Sequence, residues 1–370
     1  MKEPTILIIT QPGDVHAYAV ENALREKGAQ VALWYTTQFP SIDGEAIYLG
    51  GRPDTLEIEG LSTTEGLPVD IDSITAVWCR RPAFALDEME VHPADLRFAE
   101  KNCQDFRQGL MEMLAPEAFW VNSHRGRWRS RNKILQQQAA LASGLEVPRS
   151  LYTNDPKRIR SFIRERGGVI AFKPLYALPW KSEESLWIPY TQELREDQLV
   201  EDAQLRAAPG IYQELVPKAF ELRVTILGES IFSARIDSQA TELGRVDWRK
   251  ANAELRMQPF ELPESVAESA LRLMRRLGLA FGCLDFIVTP QGSVVFLEVN
   301  QMGQFLFVEL KTGLPLVDAF AGLLLSGTEG FRWNPSASSF NYEKVHEAIG
   351  QRAQHEMDRF FPAPELCWLE

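Results

Sequence analysis

The chain has 370 residues, 45% of them hydrophobic and 24% charged, the composition of a globular protein with two or three domains and a core large enough to need no staples. Its net charge of −12 argues against a nucleic-acid partner, because phosphate backbones call for a broad basic surface. The cysteines Cys79, Cys103, Cys283 and Cys367 make no C-x-x-C pair, the histidines show no zinc spacing, and there is no G-x-S-x-G, so neither structural zinc nor an elbow-type serine nucleophile is indicated.

The apolar run Thr5–Thr10 is too short for a signal peptide and reads as a strand. A helix over about Val15–Glu26 ends at Gly28, and Gln30–Tyr35 and Ile74–Trp78 are further strands; strand, helix, strand at this spacing predicts a parallel sheet with crossover helices. His92-Pro93 opens a helix whose Leu96, Ala99, Cys103, Phe106, Leu110 and Met113 form one apolar stripe, expected to be buried. Phe119–Val121 is a short strand and Arg129–Ala142 a helix closed by Gly144.

From about residue 150 to 220 the pattern predicts a small α/β unit: strand Ser150–Thr153, helix Ile159–Glu165, a turn at Gly167-Gly168, and strand Val169–Lys173. Pro174–Thr191, rich in Trp, Pro and Tyr, reads as an irregular loop or lid. Hairpins and one helix follow: Leu222–Leu227 with Ser230–Ser238 through Gly228-Glu229, a helix from Pro263, and Cys283–Thr289 with Ser293–Asn300. Thr312–Gly327 is the most apolar stretch, but Pro315 and Asp318 interrupt it and it is too short to span a bilayer. A soluble, cytoplasmic protein with reduced thiols is expected. The tail ends in an amphipathic helix over about Tyr342–Phe361, read either as packing on its own core or as a surface for dimerisation or peptide docking.

The last hairpin carries the strongest chemistry. Alternation puts Val294, Phe296, Glu298 and Asn300 on one face of their strand, and Cys283, Asp285 and Ile287 on one face of the partner. A two-residue turn at Gln291-Gly292 sets Asp285 opposite Glu298; a four-residue turn shifts it by two positions on the same face; only a bulge or an odd loop separates them. The flanking residues are apolar on both faces, so the strands are expected to be buried, and two carboxylates with an amide in such a place call for a cation. Asp285, Glu298 and Asn300 are hard oxygen ligands suited to Mg²⁺ that bridges phosphates.

Lys133, early in a helix, and Lys173, at a strand end, can both reach phosphates as point charges. Arg125, Arg127, Arg129 and Arg131 crowd the approach to Lys133, a placement that suits either a docked anion or a solvated basic face. Gln213-Glu214-Leu215-Val216 is a strand edge able to offer backbone groups to adenine, Glu221 suits ribose hydroxyls, and Arg223 suits a phosphate or a developing acyl phosphate.

In this order, Asn132-Lys133, Phe172-Lys173-Pro174, Gln213-Glu214-x-Val216, Glu221-x-Arg223, Asp285 and Glu298-Val299-Asn300 resemble the ATP-grasp superfamily over roughly Phe119 to Gly327. Val77-Trp78-Cys79-Arg80-Arg81-Pro82, Trp120-Val121-Asn122, Ala234 to Gln239, Asp247-Trp248-Arg249 and Asn300 to Phe305 look more narrowly like the microviridin-type graspetide synthetases, which close ω-ester or ω-amide rings in a ribosomal precursor peptide. The resemblance implies an α/β chain with the ATP-grasp fold. Its parts would be an N-terminal pre-ATP-grasp domain (1–120), a small central lid-like unit (121–215), a C-terminal antiparallel-sheet unit (216–330) and a tail (331–370). It implies ATP and Mg²⁺ as cofactors and a leader-plus-core precursor peptide as partner. Lys133 and Lys173 would contact phosphates, Gln213, Glu214 and Val216 would line the adenine pocket, and Glu221 would hold the ribose. Arg223 and Arg235, with Lys173, would serve the transferred phosphoryl group or the substrate carboxylate, and Asp285, Glu298 and Asn300 would bind Mg²⁺. The chain departs from the pattern in having no glycine from Ala171 to Pro209 and in carrying Gln301 where proline is expected. The alternatives are an ATP-grasp ligase acting on an amino acid or small peptide, and an inactive peptide-binding scaffold.

Overall fold

The structure is a computed structural model that describes residues 4–41, 44–50, 56–82, 91–176, 180–181, 186–187, 190–251 and 253–360. Strand β1 (Thr5–Thr10) is followed by helix α1 (Val15–Glu26) and strand β2 (Gln30–Tyr35). A small hairpin, β3 (Ala46–Leu49) with β4 (Leu56–Glu59), precedes β5 (Ile74–Cys79), helix α2 (Leu96–Met113) and β6 (Phe119–Val121). The sheet runs β2-β1-β5-β6 with all neighbours parallel, the arrangement that the sequence periodicity predicts. Ile6 to Ile9 are fully buried, as a strand covered on both faces requires. Of the stripe on α2 only Leu110 is fully buried: Ala99, Cys103, Phe106 and Met113 are half-buried, and Leu96 is 40% exposed.

The expected helix Arg129–Ala142 is two helices, α3 (His124–Arg131) and α4 (Lys133–Ala142). Asn132 divides them: its side-chain oxygen accepts the backbone N–H groups of Ile134 and Leu135, an N-cap that restarts the helix at Lys133. Next come β7 (Ser150–Thr153), α5 (Pro156–Glu165), β8 (Val169–Pro174), β9 (Trp180–Lys181), β10 (Leu186–Trp187), β11 (Gln192–Arg195), α6 (Asp202–Ala207) and β12 (Gly210–Glu214). They build an antiparallel sheet of order β11-β8-β12-β7. The segment read as an irregular loop contains the two-stranded pair β9–β10; its other residues at 177–179, 182–185 and 188–189 lie outside the described ones.

A second antiparallel sheet contains β13 (Phe220–Leu227), β14 (Ser230–Ile236), β15 (Met257–Pro259), β16 (Phe281–Val288) and β17 (Val294–Asn300), in the order β15-β14-β13-β16-β17. Helix α7 (Glu264–Leu277) lies between β15 and β16 in sequence, and Ala270, Leu273, Met274 and Leu277 pack into one core with Leu222, Val224, Phe286 and Phe296. Helices α8 (Leu306–Thr312), α9 (Leu316–Ser326) and α10 (His346–Phe360) complete the chain. Phe305, Phe320 and Leu323 share a core with Ile6, Tyr18 and Trp78 of the N-terminal sheet, and so do Ile349 and Ala353 of α10. Arg352 of α10 pairs with Glu21 at 2.7 Å, and Phe360 packs edge-on against Tyr35. The apolar side of the tail helix is therefore used inside its own chain. Among the described residues no helix is long and apolar enough to cross a membrane.

Glu309 on α8 is a buried carboxyl that accepts the Val317 N–H at 2.7 Å, near the start of α9. Burial pushes its pKa up to about 7. The folded state thus holds this proton more tightly than the unfolded chain, where a glutamate titrates near about 4.3. Its contribution to stability is complete below that value and is lost as pH rises through about 7. Wild-type protein should lose melting temperature between pH 5 and pH 8 relative to Glu309→Gln; parallel pH profiles for the two proteins would refute the assignment.

Candidate active site

Three neighbouring strands place the central charges in one row. Arg223 on β13 is paired in register with Asp285 on β16, and Asp285 with Glu298 on β17; Asn300 stands opposite Cys283. Arg223 Nη1 donates to both Asp285 oxygens at 2.9 and 3.0 Å, and its Nη2 donates to the Gln304 carbonyl at 2.9 Å. The Asn300 amide donates to Asp285 Oδ2 at 3.2 Å and lies 3.5 Å from Glu298 Oε1, so both carboxylates and the amide converge.

Two irregularities produce this row. The loop joining β16 and β17 is odd: Thr289 and Ser293 face each other and Gly292, at φ +89°, closes a three-residue turn. Carried through a regular ladder, that turn would set Asp285 opposite Leu297. A bulge between Asp285 and Phe286 moves the register by one and returns Asp285 to Glu298. The expected single face of Val294, Phe296, Glu298 and Asn300 is consequently split: Phe296 pairs with Phe286 in the apolar core, while Glu298 joins Asp285.

Lys133, the first residue of α4, reaches Glu298 with its ammonium 3.2 Å from Oε2. Lys173 on β8 donates to Gln213 Oε1 at 3.1 Å, and Gln213 donates onward to Ser150 Oγ at 2.9 Å. Burial would raise the Glu298 pKa, but Lys133, Lys173 and Arg249 together hold it well below the ordinary carboxylate range. Burial, aided by the Glu298 charge and opposed by Arg223, pushes Asp285 up. Lys173 moves down, chiefly through burial and then through the Lys133 charge, with Glu298 opposing. One slot is lined by Lys173, Gln213, Glu214, Val216 and Glu221 together with Asp285 and Glu298. Strand β12 ends at Glu214, so Leu215 and Val216 leave the sheet along the slot wall. Glu221 is pushed up by burial, with Lys218, 2.7 Å away, opposing.

Arg235 departs from the expectation. The turn at Gly228-Glu229 pairs Leu227 with Ser230, which sets Ala234 opposite Arg223 and Arg235 opposite Leu222. Adjacent residues of a strand point to opposite faces, so Arg235 projects away from the row. Its guanidinium bonds Asp237 at 2.7 Å and stacks 4.1 Å from the Phe220 ring centroid. It does not line the slot, and the structure does not bring it to the row with Arg223.

Several residues at the site had only weak sequence signals. Arg249 lines the slot beside its partner Asp247, whose pKa burial would raise but which the Arg249 hydrogen bonds hold low. The turn after Asn300 is clamped from the N-terminal sheet. Arg80, fully buried, donates to both Asp14 oxygens at 2.8 and 3.1 Å and to the Met302 carbonyl at 3.0 Å. His16 Nε2 accepts the Phe305 N–H at 3.1 Å, and Asn122 donates to the carbonyls of Gln301 and Phe281. Asp14 and His16 carry no motif. Their only sequence signal is a polar pair at the start of a helix whose next residues, Ala17 to Val20, are apolar.

Among the described residues no three or more His, Cys, Asp or Glu side chains gather to hold a metal; the candidate cation set is two carboxylates and one amide. That set fits a hard divalent ion. Its ligands are oxygens, Glu298 is ionised, and the convergent Asn300 amide carries an oxygen as well as the N–H groups it now donates.

No protein-family model and no curated protein matches the chain. Solved structures do. A RiPP-associated ATP-grasp ligase from Chryseobacterium gregarium, in complex with ADP and a leader and core peptide, superposes with a TM-score of 0.78 at 24% identity, covering 90% of this chain and 100% of that one. The macrocyclase MdnC from Microcystis aeruginosa MRC, bound with precursor peptide MdnA, gives 0.76 at 29% identity, covering 87% and 100%. The ATP-grasp ligase PsnB, with a variant of a minimal precursor, Mg and ADP, gives 0.65 at 23%, covering 88% and 99%.

Proposed function

We propose that this chain, an ATP-grasp ligase, uses ATP to join carboxylate side chains of a ribosomal precursor peptide to hydroxyl or amine side chains of the same peptide, closing ω-ester or ω-amide rings. The observation that carries this reading is the row Arg223–Asp285–Glu298 with Asn300, whose Asp285 and Glu298 border the same slot as Lys173 and the Gln213–Val216 segment. Its likeness to MdnC supports the peptide substrate. So does a cavity of about 770 Å³ lined by Asp285, Glu298 and Asn300, larger than a free amino acid needs.

In this reading Glu214 and Val216 hold the adenine, Glu221 the ribose, and Lys133 and Lys173 the phosphates. Asp285, Glu298 and Asn300 would hold Mg²⁺, which supplies charge neutralisation for the polyphosphate. The peptide carboxylate oxygen attacks the γ-phosphorus and the bond to the β-phosphate oxygen breaks, giving ADP and an acyl phosphate. A hydroxyl or amine then attacks the acyl carbon, loses its proton, and expels phosphate. Arg223 orients Asp285 and donates to the Gln304 carbonyl, keeping the far wall in place. The division at residues 120, 215 and 330 and a cytoplasmic site of action belong to the same proposal.

The test is mass spectrometry of an acidic Ser/Thr/Lys-rich peptide, preferably one encoded beside the gene, incubated with protein, ATP and Mg²⁺. Loss of one water for each ADP released is expected. ADP release with free amino acids, without mass loss in any such peptide, would instead assign a small-molecule ligase.

A further inference from the structure

The large cavity carries a charge imbalance. Five cationic side chains line it, and three are matched: Lys133 by Glu298, Arg223 by Asp285 and Arg249 by Asp247. The other two, Arg81 and Arg131, have no carboxylate partner among the described residues. Among the described residues Arg131 bonds the Tyr176 hydroxyl, at 3.4 Å, with its guanidinium 5.7 Å from that ring's centroid. Neither arginine lines the slot that holds Lys173 and Glu221; both line the larger cavity, beside Lys133.

Arg81 is also held in an uncommon backbone state. Its φ is +51°, in the left-handed region, and Pro82 follows it. A bulky residue is seldom found there without a reason, and such residues cluster where a side chain has to be aimed. The preceding Arg80 is locked by Asp14 and by the Met302 carbonyl, so Arg81 emerges from a fixed point beside the Gln301–Gln304 wall. A guanidinium in a partly enclosed cavity, with no carboxylate partner among the described residues, is a donor fork for a planar anion, and a carboxylate fits it with two parallel hydrogen bonds.

We propose that Arg81 and Arg131 form a substrate subsite that holds an acidic side chain of the peptide, in the cavity that Lys133 also lines and outside the slot that holds Lys173. It rests on the reading of the site given above. It makes these two arginines determinants of peptide selection and leaves nucleotide binding to other residues.

The experiment uses full-length protein with MgADP and two fluorophore-labelled synthetic peptides of equal length, one alternating threonine and glutamate, the other threonine and glutamine. Wild-type protein should bind the glutamate peptide more tightly. Arg81→Gly, which removes the side chain and accepts the positive φ, and Arg131→Ala should each weaken it about tenfold, the scale of a lost charge-assisted hydrogen bond. Binding of the glutamine peptide and of MgADP should stay unchanged, and Arg81→Lys should recover part of the loss. Equal affinity of wild type for the two peptides, or unchanged glutamate-peptide binding in both variants, overturns the subsite. A fall in MgADP affinity also overturns it, by making these arginines phosphate ligands. Failure of wild type to bind MgADP at all strikes the ATP-grasp reading instead.

Discussion

Glu298→Gln should lower kcat for ADP formation on the order of 10³-fold, the scale of removing one preorganised electrostatic contact to the reacting charge. The substitution keeps the volume of the side chain and its packing on β17. It removes one hard anionic ligand, and it also removes the counter-charge that Lys133, at 3.2 Å, and the nearby Lys173 and Arg249 now share. These two consequences act oppositely on nucleotide binding. A metal-free polyphosphate meets a more cationic site and should bind as well or better, whereas the gain in affinity that Mg²⁺ gives the wild type should disappear. Calorimetry with ADP, with and without Mg²⁺, separates the two. Undiminished turnover in a well-folded Glu298→Gln protein would sink the metal assignment. If Mg²⁺ still strengthens ADP binding as in wild type, the role of Glu298 is confined to organising the lysines.

Much of this site is legible in the sequence because it is built from local pairings. Asp285 and Glu298 belong to one hairpin, Glu221 and Arg223 to one strand, and alternation ties each to a face. Even so, the facing of Asp285 and Glu298 depends on an odd turn and a bulge that offset each other. Alternation alone reaches the right pair through the wrong ladder, and for the same reason it misplaces Val294 and Phe296. Arg235 shows the opposite outcome: the parity of the Gly228-Glu229 turn turns it to the other face, so membership of a motif did not bring it to the site. The break at Asn132 was hidden because the helical pattern continues across it, although an asparagine ahead of a helix start is a capping signal. What the sequence could not disclose were the long-range polar clamps. Arg80 is 66 residues from Asp14 and 222 from Met302, and no periodicity connects them.

Arg80→Met should destabilise the protein by about 3–5 kcal/mol, the cost of stranding one member of a buried ion pair. Arg80 is fully buried and Asp14 only 3% exposed, so water cannot replace the lost donor. Asp14 would keep the Thr10 hydroxyl at 3.0 Å and the His16 N–H at 3.1 Å, but neither neutralises its charge. The double variant Arg80→Met/Asp14→Asn removes that charge as well and should recover a large part of the loss, because the penalty lies in the unpaired carboxylate. Equal destabilisation of the single and double variants would assign the cost to packing around Trp78 instead, whose ring lies 5.6 Å from the guanidinium. The effect should extend to the site. Arg80 fixes the Met302 carbonyl, two residues beyond Asn300, and His16 fixes Phe305, so the turn is held at both ends from the N-terminal sheet. The folded double variant, lacking the Met302 contact, should need more Mg²⁺ to reach half-maximal ADP binding than wild type. An unchanged Mg²⁺ requirement would show that Asn300 is positioned by β17 alone.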